Sequence, residues 1–384
     1  MRLQEPTGAP AIGISGSYGG LNVGDEAILT VALEQLRQAI PGVEITVFTR
    51  NVGHTRANHE VERVIDARDS LRDELIEEVE RLDLLLLGGG GILYDQEAEL
   101  YLHLPRIAQQ LGVRTATYAI GAGPLQRRAD RRAVLEVIKG MRAVTVRDAR
   151  TRRLLEEVGV EREIIVTADP ALLLKGGEAP SGALPREGIH GERGLVGLSV
   201  REPGGAAADL EPPLYRRLLA LAADFVADRF DADLLFVPME RQDVGHAHRV
   251  IAEMGLPERA RVLTACYAPR EMLGIVGRLD MAIGMRLHFL IFAALSGVPI
   301  LGLPYAPKVN SFLQRLGLSG PDQIDPEHAG TLLAAIDRIW DLREEASTSI
   351  RERLPAMQLD ARRTASIIAE LMTPNVVHAP ARSA

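Results

Sequence analysis

The sequence predicts an α/β protein made of two doubly wound, Rossmann-like domains that face each other across a cleft. Three observations lead to this fold class. The chain has 384 residues, a length that suits two domains of medium size. Short apolar segments alternate with amphipathic segments almost throughout, which is typical of parallel sheets covered by helices on both faces. Residues 175–194, rich in glycine, proline and charge, interrupt this alternation once and indicate a linker.

The two halves follow the same plan. In the first half, strands are predicted at 11–15, 43–48, 82–87, 114–120 and 143–146, with helices at 25–39, 61–81 and 129–139. In the second half, strands are predicted at 195–200, 232–237, 261–263, 279–283 and 299–303, with helices at 213–229, 269–276, 288–296, 330–340 and 362–372. We therefore expect an N-terminal domain over 1–178, a linker over 179–193 and a C-terminal domain over 194–384 that ends in a helix.

Composition excludes several classes of protein. The formal net charge is −8 and the pI is about 5.7, so no basic field covers the surface and a nucleic-acid partner is not expected. A single cysteine, Cys266, excludes a disulfide framework and a cysteine-based zinc site, and we expect no metal. The N-terminus lacks a secretory pattern, and glycine and proline interrupt the uncharged stretch 289–306. The expected location is the cytoplasm.

A glycine-rich loop follows the first predicted strand and leads into the first helix, where it includes Asn22, Asp25 and Glu26. Its spacing does not match the dinucleotide fingerprint, and no Lys-Ser or Lys-Thr pair follows as in a P-loop. The two carboxylates at the start of the helix would repel a phosphate, so a neutral ligand with hydroxyl groups, such as a sugar, fits this loop better. The alternative is that Asp25 only caps the helix.

Two further loops follow predicted strands. Four consecutive glycines, Gly88 to Gly91, come directly after the strand at 82–87 and are followed by Tyr94 and Asp95. Ordering four glycines costs much chain entropy, so we expect backbone in contact with a ligand; the alternative is tight packing of the next helix. Arg147 ends the strand at 143–146, where a guanidinium can hold a carboxylate or a phosphate; the alternative is a surface pair with Asp148.

The strongest signal lies in the second half. Arg286 and His288 follow the strand at 279–283, and Lys308 follows the next strand at 299–303. Because the carboxyl ends of parallel strands meet at one edge of a sheet, these three side chains are expected to form an anion site. A lone histidine on an apolar helix is more often a core residue, but two neighbouring cations favour a functional role for His288.

These motifs resemble one family when they are taken together and in order. The runs GSYGGLNVGDEAIL, GGGGILYD, VRD, GMRLHFLIFAA and PYAPKV are similar to the polysaccharide pyruvyl transferases, most of all to the bacterial cell-surface type CsaB. The resemblance implies a fold like that of the GT-B glycosyltransferases. It also implies transfer of a pyruvyl group from phosphoenolpyruvate to N-acetylmannosamine or a related sugar of a cell-wall polysaccharide precursor. The product would be a cyclic ketal and inorganic phosphate, with no cofactor.

The resemblance also assigns roles to residues. Arg147, His288 and Lys308 would be catalytic and contact the donor, with Arg286 as a further donor contact in the C-terminal domain. The N-terminal domain would bind the acceptor, through Asn22, Asp25, Glu26, Gly89, Gly90 and Asp95. A lipid-linked acceptor would bring the protein to the inner face of the membrane. Two other functions fit the same plan: a nucleotide-sugar glycosyltransferase or epimerase, and a non-catalytic module that binds glycan. A nicotinamide dehydrogenase fits least, because the fingerprint is missing.

Overall fold

The computed structural model describes residues 8–202, 211–303, 307–318, 320–321 and 329–373, and in this part of the chain the strands form two parallel five-stranded sheets. The N-terminal sheet has the order β3-β2-β1-β4-β6, and the C-terminal sheet has the order β12-β11-β10-β13-β14. Both therefore have the strand order 3-2-1-4-5 within their own half. In each sheet the order reverses at the first strand, so the ligand crevice of this fold lies beside the carboxyl ends of β1 and β4 and of β10 and β13.

The N-terminal half contains nine strands and seven helices among the described residues. The strands are β1 (Ala11–Ser15), β2 (Glu44–Thr49), β3 (Arg63–Asp66), β4 (Leu84–Gly88), β5 (Gly91–Leu93), β6 (Arg114–Tyr118), β7 (Gly121–Ala122), β8 (Thr145–Val146) and β9 (Ile165–Val166). The helices are α1 (Val23–Ala39), α2 (Val52–Asn58), α3 (Arg72–Glu80), α4 (Ala98–Gln110), α5 (Arg128–Lys139), α6 (Ala149–Val158) and α7 (Ala183–Arg186), with a 3₁₀ helix at Pro170–Leu173.

The described C-terminal half contains five strands and seven helices. The strands are β10 (Gly194–Ser199), β11 (Ala232–Phe236), β12 (Ala260–Val262), β13 (Met281–Gly284) and β14 (Ile300–Gly302). The helices are α8 (Pro212–Arg229), α9 (Arg241–Ile251), α10 (Pro269–Val276), α11 (Leu287–Leu295), α12 (Pro307–Arg315), α13 (Ala329–Asp341) and α14 (Arg343–Met372). No helix of the described residues combines the length and the apolar character needed to cross a bilayer.

The predicted helix over 61–81 is wrong in its first part and right in its second, which is α3. Its first part is the edge strand β3, which pairs in parallel with β2. The carboxylate of Asp66 then accepts the backbone N–H groups of Arg68 and Asp69 at 2.8 Å each, which forms the turn before α3. Sheet pairing outweighs the local helical pattern here, because Val64 is buried against the sheet. Helix α4 was not among the predicted elements, and α14 begins well before the predicted 362–372.

Helix α1 lies between the two sheets. Leu29, Leu33 and Leu36 belong to the apolar core of the N-terminal sheet, whereas Ile28 and Val31 belong to the apolar core of the C-terminal half. At the start of the helix, the backbone N–H of Val23 donates to the carbonyl of Met239 at 2.9 Å. Both faces of α1 are therefore covered, and its N-terminus is fixed relative to both halves.

Helix α14 links the C-terminal half back to the N-terminal half. Ile350 and Met357 pack in the core of the C-terminal half, and Ile368 packs in the core of the N-terminal sheet. Between these positions, Thr364 Oγ1 donates to Thr167 Oγ1 at 2.9 Å. Near the end of the helix, Arg114 Nη1 donates to the carbonyl of Leu371 at 2.5 Å. The last helix therefore forms a second connection between the two halves, in addition to α1.

Replacing Ile368 by alanine should destabilise the protein by about 3 kcal/mol, because the change leaves a cavity in a fully buried apolar contact. Urea denaturation followed by circular dichroism would measure this free energy of unfolding. Leu359 on the same helix is 63% exposed, and Leu359→Ala serves as the matched control with an expected change below about 0.5 kcal/mol. Equal losses for the two variants would contradict the described packing of α14.

Candidate functional site

The predicted site residues lie on segments that follow the carboxyl ends of strands in both halves. Asp25 is in the first turn of α1, after β1, and Arg147 comes directly after β8. His288 is in the first turn of α11, after β13, and Lys308 is in the first turn of α12, after β14. Because α1 is packed between the halves, these two edges face each other, and side chains from both meet in one cluster.

Arg147 is buried, and its charge is balanced by two carboxylates. Its Nη1 donates to Asp169 Oδ2 at 2.9 Å, and its Nε lies 3.7 Å from Asp148 Oδ2. The Nε is buried and has no hydrogen-bond partner among the described residues. The guanidinium lies across Gly121, where a Cβ atom would be 2.7 Å from the Nε. Glycine at 121 is therefore needed for this position of Arg147, and the Nε keeps an unused hydrogen-bond donor among the described residues.

His288 reaches from the C-terminal half into the start of α1. Its Nε2 lies 3.4 Å from Asp169 Oδ2, in an arrangement that is an ion-pair contact and not a well-formed hydrogen bond. Its ring lies directly over Gly24, where a Cβ atom would be 1.9 Å from the Nδ1. Any larger residue at position 24 would displace the imidazole. His288 and Arg147, which come from different halves, therefore meet at the same carboxylate.

Asp169 joins these two side chains. It follows β9 and caps the 3₁₀ helix, accepting the backbone N–H of Ala171 at 3.1 Å. Burial alone would raise the pKa of Asp169, but the positive charges of His288 and Arg147 lower it to well below its usual range. Asp169 therefore remains ionised and holds both partners in place.

The pKa of Asp25 is shifted in the direction opposite to that of Asp169. Burial is the largest influence and raises the pKa of Asp25 to about 6, although His288, Ser17 and Arg147 act in the other direction. Its Oδ1 lies against Gly90, where a Cβ atom would be 2.4 Å away and the φ of +75° favours glycine. Gly89, with a φ of +103°, packs against Tyr18 and Ser17. The glycine run therefore brings backbone up to the Asp25 carboxylate.

Lys308 lies on the other side of Arg147. Together with Arg147 and Asp169 it lines a small cavity of about 40 Å³ between α11, α12 and the end of β8. The remaining wall includes the apolar side chains of Leu287 and Phe312. Three of the four predicted donor residues, Arg147, His288 and Lys308, are therefore grouped around Asp169.

Arg286 belongs to a neighbouring network. Its Nε donates to Asp243 Oδ2 at 3.0 Å, and its Nη2 donates to Glu240 and to Asp243 Oδ1. Burial would lower the pKa of Arg286, but these two carboxylates raise it well above its ordinary value. Glu240 also accepts from Asn22 Nδ2 at 3.3 Å, and Asn22 Oδ1 accepts the N–H of Gly24 at 3.0 Å. This network ties the loop before His288 to the N-cap of α1.

Two other predicted acceptor residues make contacts inside the N-terminal half. Glu26 accepts the N–H of Gly19 at 2.8 Å through Oε1, and its Oε2 lies 3.3 Å from His59 Nε2. Asp95 accepts the N–H groups of Gln126 and Arg127 at 2.9 Å, which orders the loop before α5. Their contact with an acceptor stays a prediction. Within the described ranges, no group of three His, Cys, Asp or Glu side chains is placed to hold a metal.

Asp169 is the site residue that the sequence reasoning missed. The strand β9 is only two residues long, so the sequence pattern does not predict a strand whose end would point to Asp169. The available signal is the dipeptide Asp169-Pro170 after a short β-branched run, since aspartate followed by proline is typical of a helix start.

The fold is that of the two-domain GT-B transferases and epimerases. Similar solved structures include a putative UDP-N-acetylglucosamine 2-epimerase from Listeria monocytogenes (TM-score 0.64, 14% identity, 94% of this chain and 96% of that chain). Another is Anabaena HepE in complex with UDP (TM-score 0.61, 12% identity, 94% and 98%). A third is sucrose-phosphate synthase from Thermosynechococcus elongatus (TM-score 0.60, 14% identity, 94% and 99%). The predicted fold class is confirmed.

The family follows from the sequence match. The model of the polysaccharide pyruvyl transferase family matches residues 22–307, which is more than half of the chain and includes Asp25, Arg147 and His288. The chain belongs to this family and is a transferase, as the motifs predicted. No curated protein matches the chain in a sequence comparison.

Replacing Asp169 by asparagine should lower the free energy of unfolding at pH 7 by about 3 kcal/mol, because it leaves the buried Arg147 without its main counter-charge. The lowered pKa of Asp169 means that its contribution is complete above pH 4 and is lost as the pH falls further. The deficit should therefore shrink at low pH in denaturation measurements. Asp148→Asn, which keeps the helix cap, is the matched control with an expected loss below about 1 kcal/mol. A deficit independent of pH would contradict the charge pairing.

Replacing Asp25 by asparagine should change the free energy of unfolding with a pH dependence opposite to that of Asp169→Asn. The pKa of Asp25 is raised to about 6, so the folded state binds a proton more tightly than the unfolded state and wild-type stability falls as the pH rises from about 4 to 7. The Asp25→Asn variant lacks this loss. Its free energy of unfolding relative to wild type should therefore rise by about 2 kcal/mol between pH 4 and pH 8, a figure reduced because the Asp25 side chain is partly exposed. Asp69→Asn, at an exposed position, is the control. A constant difference across this range would show that Asp25 is solvated.

Proposed function

We propose that the protein transfers the pyruvyl group of phosphoenolpyruvate to two hydroxyl groups of a sugar, forming a cyclic ketal and releasing phosphate. The acceptor is N-acetylmannosamine of a cell-wall polysaccharide precursor, as in the CsaB type. One observation supports the proposal beyond the family: Arg147 and His288, from different halves, meet at Asp169, and both act electrostatically on the carboxylate of Asp25. No cofactor is needed for this reaction, since the donor is itself an activated enol ester.

The donor carries a carboxylate and a phosphate, and the cluster offers cations suited to each. Arg147 has a buried Nε without a protein acceptor, and this edge of a planar guanidinium suits a carboxylate with two parallel hydrogen bonds. Lys308, a compact ammonium that lines the same cavity as Arg147, suits the phosphate. Arg286 is the N-cap residue of α11 and is already paired with Asp243 and Glu240. We assign Arg286 to positioning the helix start that contains His288; a direct donor contact would need one of these pairs to open.

The reaction needs an acid for carbon and a base for the sugar. His288 protonates the methylene carbon of the enol, which leaves an oxocarbenium-like centre at the neighbouring carbon. One sugar hydroxyl attacks this centre and loses its proton, which forms the first carbon–oxygen bond. The carbon–oxygen bond to phosphate then breaks, and the phosphate leaves with its electron pair. The second hydroxyl attacks the same carbon, loses its proton and closes the ketal.

Asp25 is the preferred base for the sugar hydroxyls. Its pKa of about 6 makes it largely ionised at neutral pH yet still able to accept a proton. Glu26, the alternative in the same turn, is already bonded to Gly19 and lies beside His59. Gly89 and Gly90 place backbone next to Asp25 and would line the acceptor side, with Asn22 and Asp95 nearby in the N-terminal half. An acceptor held by a lipid would bring the enzyme to the inner face of the membrane.

The direct test is to incubate the protein with phosphoenolpyruvate and a synthetic N-acetylmannosaminyl disaccharide, and to measure phosphate release and the mass of the ketal. His288→Gln and Lys308→Ala should each lower kcat/KM by about 10² to 10⁴. Asp25→Asn should lower kcat by about 10² with little change in the KM for phosphoenolpyruvate.

The matched controls are His190→Gln and Lys139→Ala, both at exposed positions away from the cluster, and they should turn over like wild type. Thermal denaturation of each variant separates loss of chemistry from loss of folding. Full activity in both His288→Gln and Lys308→Ala would refute the site assignment. Turnover of a UDP-sugar in place of phosphoenolpyruvate would refute the proposed donor.

A further inference from the structure

A second cavity lies in the N-terminal half, beside the cluster around Asp169. Its volume is about 760 Å³, and it opens where β1 and β2 end. Its wall includes three arginines from separate places in the chain, Arg50 after β2 and Arg68 and Arg72 around the start of α3. We call this cavity the arginine pocket. Nothing in the proposed pyruvyl transfer uses these three side chains.

The arginine pocket carries positive charge that the protein does not neutralise. Neither Arg68 nor Arg72 makes an ion pair with another described residue, and Arg50 donates only to Ser17, through Nη2. The Nε of Arg50 is buried without a hydrogen-bond partner in the described structure. Two carboxylates also line the wall. One of them, Glu99, is paired with Arg106 at 3.0 Å, which leaves Glu97 as the only carboxylate in the wall without an ion pair among the described residues. Cations therefore exceed uncompensated carboxylates, and an anionic group is favoured there.

The arginine pocket is connected to the reacting centre. Arg50 Nη2 lies 3.2 Å from Ser17 Oγ, and the Ser17 hydroxyl interacts with the carboxylate of Asp25. Ser15 and Gly16, at the end of β1, form part of the pocket wall. A ligand whose sugar lies at Asp25 would therefore extend into the pocket through its next substituent.

We propose that the arginine pocket binds a diphosphate ester at the reducing end of the acceptor saccharide, which rests on the pyruvyl transfer proposed above. Three guanidinium groups match the several oxygens and the negative charge of a diphosphate better than they match a neutral glycan. The wall also has apolar side chains, among them Leu75, Leu104 and Leu100, of which Leu100 is 45% exposed. The group beyond the diphosphate can therefore be apolar, as in a prenyl chain.

The test compares three acceptors that carry the same N-acetylmannosaminyl sugar: a neutral methyl glycoside, a short prenyl diphosphate derivative and a nucleoside diphosphate derivative. In the double variant Arg68→Gln/Arg72→Gln, the KM for the diphosphate acceptors should rise about tenfold or more, because charged hydrogen bonds are lost. The KM for phosphoenolpyruvate and for the neutral glycoside should not change. Arg153→Gln, at an exposed position on α6, is the matched control and should behave like wild type.

Calorimetric titration with inorganic pyrophosphate tests the arginine pocket without turnover. Wild type should bind pyrophosphate and the double variant should bind it at least about tenfold more weakly, with a strong dependence on salt. If no acceptor is turned over but the double variant still binds pyrophosphate more weakly than wild type, the proposed pyruvyl transfer is refuted and the proposed anion site is supported. If turnover is normal and neither KM nor pyrophosphate affinity changes in the double variant, the anion site is refuted. A rise in the KM for phosphoenolpyruvate would assign the arginines to the donor and would also overturn the proposal.

Discussion

The carboxylate of Asp169 is the contact on which the rest of the site depends. It is buried, lies 2.9 Å from Arg147 of the N-terminal half, and lies 3.4 Å from His288 of the C-terminal half. Taking three such groups out of water is costly, and the cost is offset only when their geometry is well matched. The cluster can therefore exist only when the two halves hold a fixed relative position, and any movement that separates His288 from Asp169 also leaves a buried charge poorly compensated.

The fold supplies that fixed position through apolar contacts. Interfaces between domains of one chain are often polar and permit motion, but α1 has Leu29 facing one core and Ile28 facing the other, both fully buried. Helix α14 adds a second connection through Ile368. The N-cap residue Asn22 donates to Glu240, which also accepts from Arg286. Arg286 is the N-cap residue of α11, whose first turn contains His288, so this network links the start of α1 to the start of α11. Apolar packing sets the distance between the halves, and the polar networks set the orientation of the side chains in the candidate site.

Much of this could be predicted from the sequence because parallel sheets have a simple pattern. Short apolar runs predicted most of the strands, and the rule that functional groups follow strand ends selected Arg147, His288 and Lys308 as candidates. The structure places the three side chains near Asp169, and their function stays a prediction. The pattern failed at 61–81, where pairing with β2 converts part of a helical segment to a strand. It also could not show that Asp169 joins Arg147 to His288, since these contacts bridge positions far apart in the chain. Nor could it show that Arg286 is paired with Asp243, which depends on the packing of α9.

Asp169 and Asp25 lie in the same cluster, but their pKa values are shifted in opposite directions, which suits them to different roles. Cations on both sides lower the pKa of Asp169, so it stays ionised throughout the working range and can only position its partners. Burial beside Gly90 raises the pKa of Asp25 to about 6, so small changes in its surroundings during a reaction can move a proton on or off. Titratable neighbours whose pKa values are pushed apart are typical of acid–base sites. A purely structural ion-pair network has no need for one carboxylate whose pKa is raised to about 6 beside a histidine and an arginine.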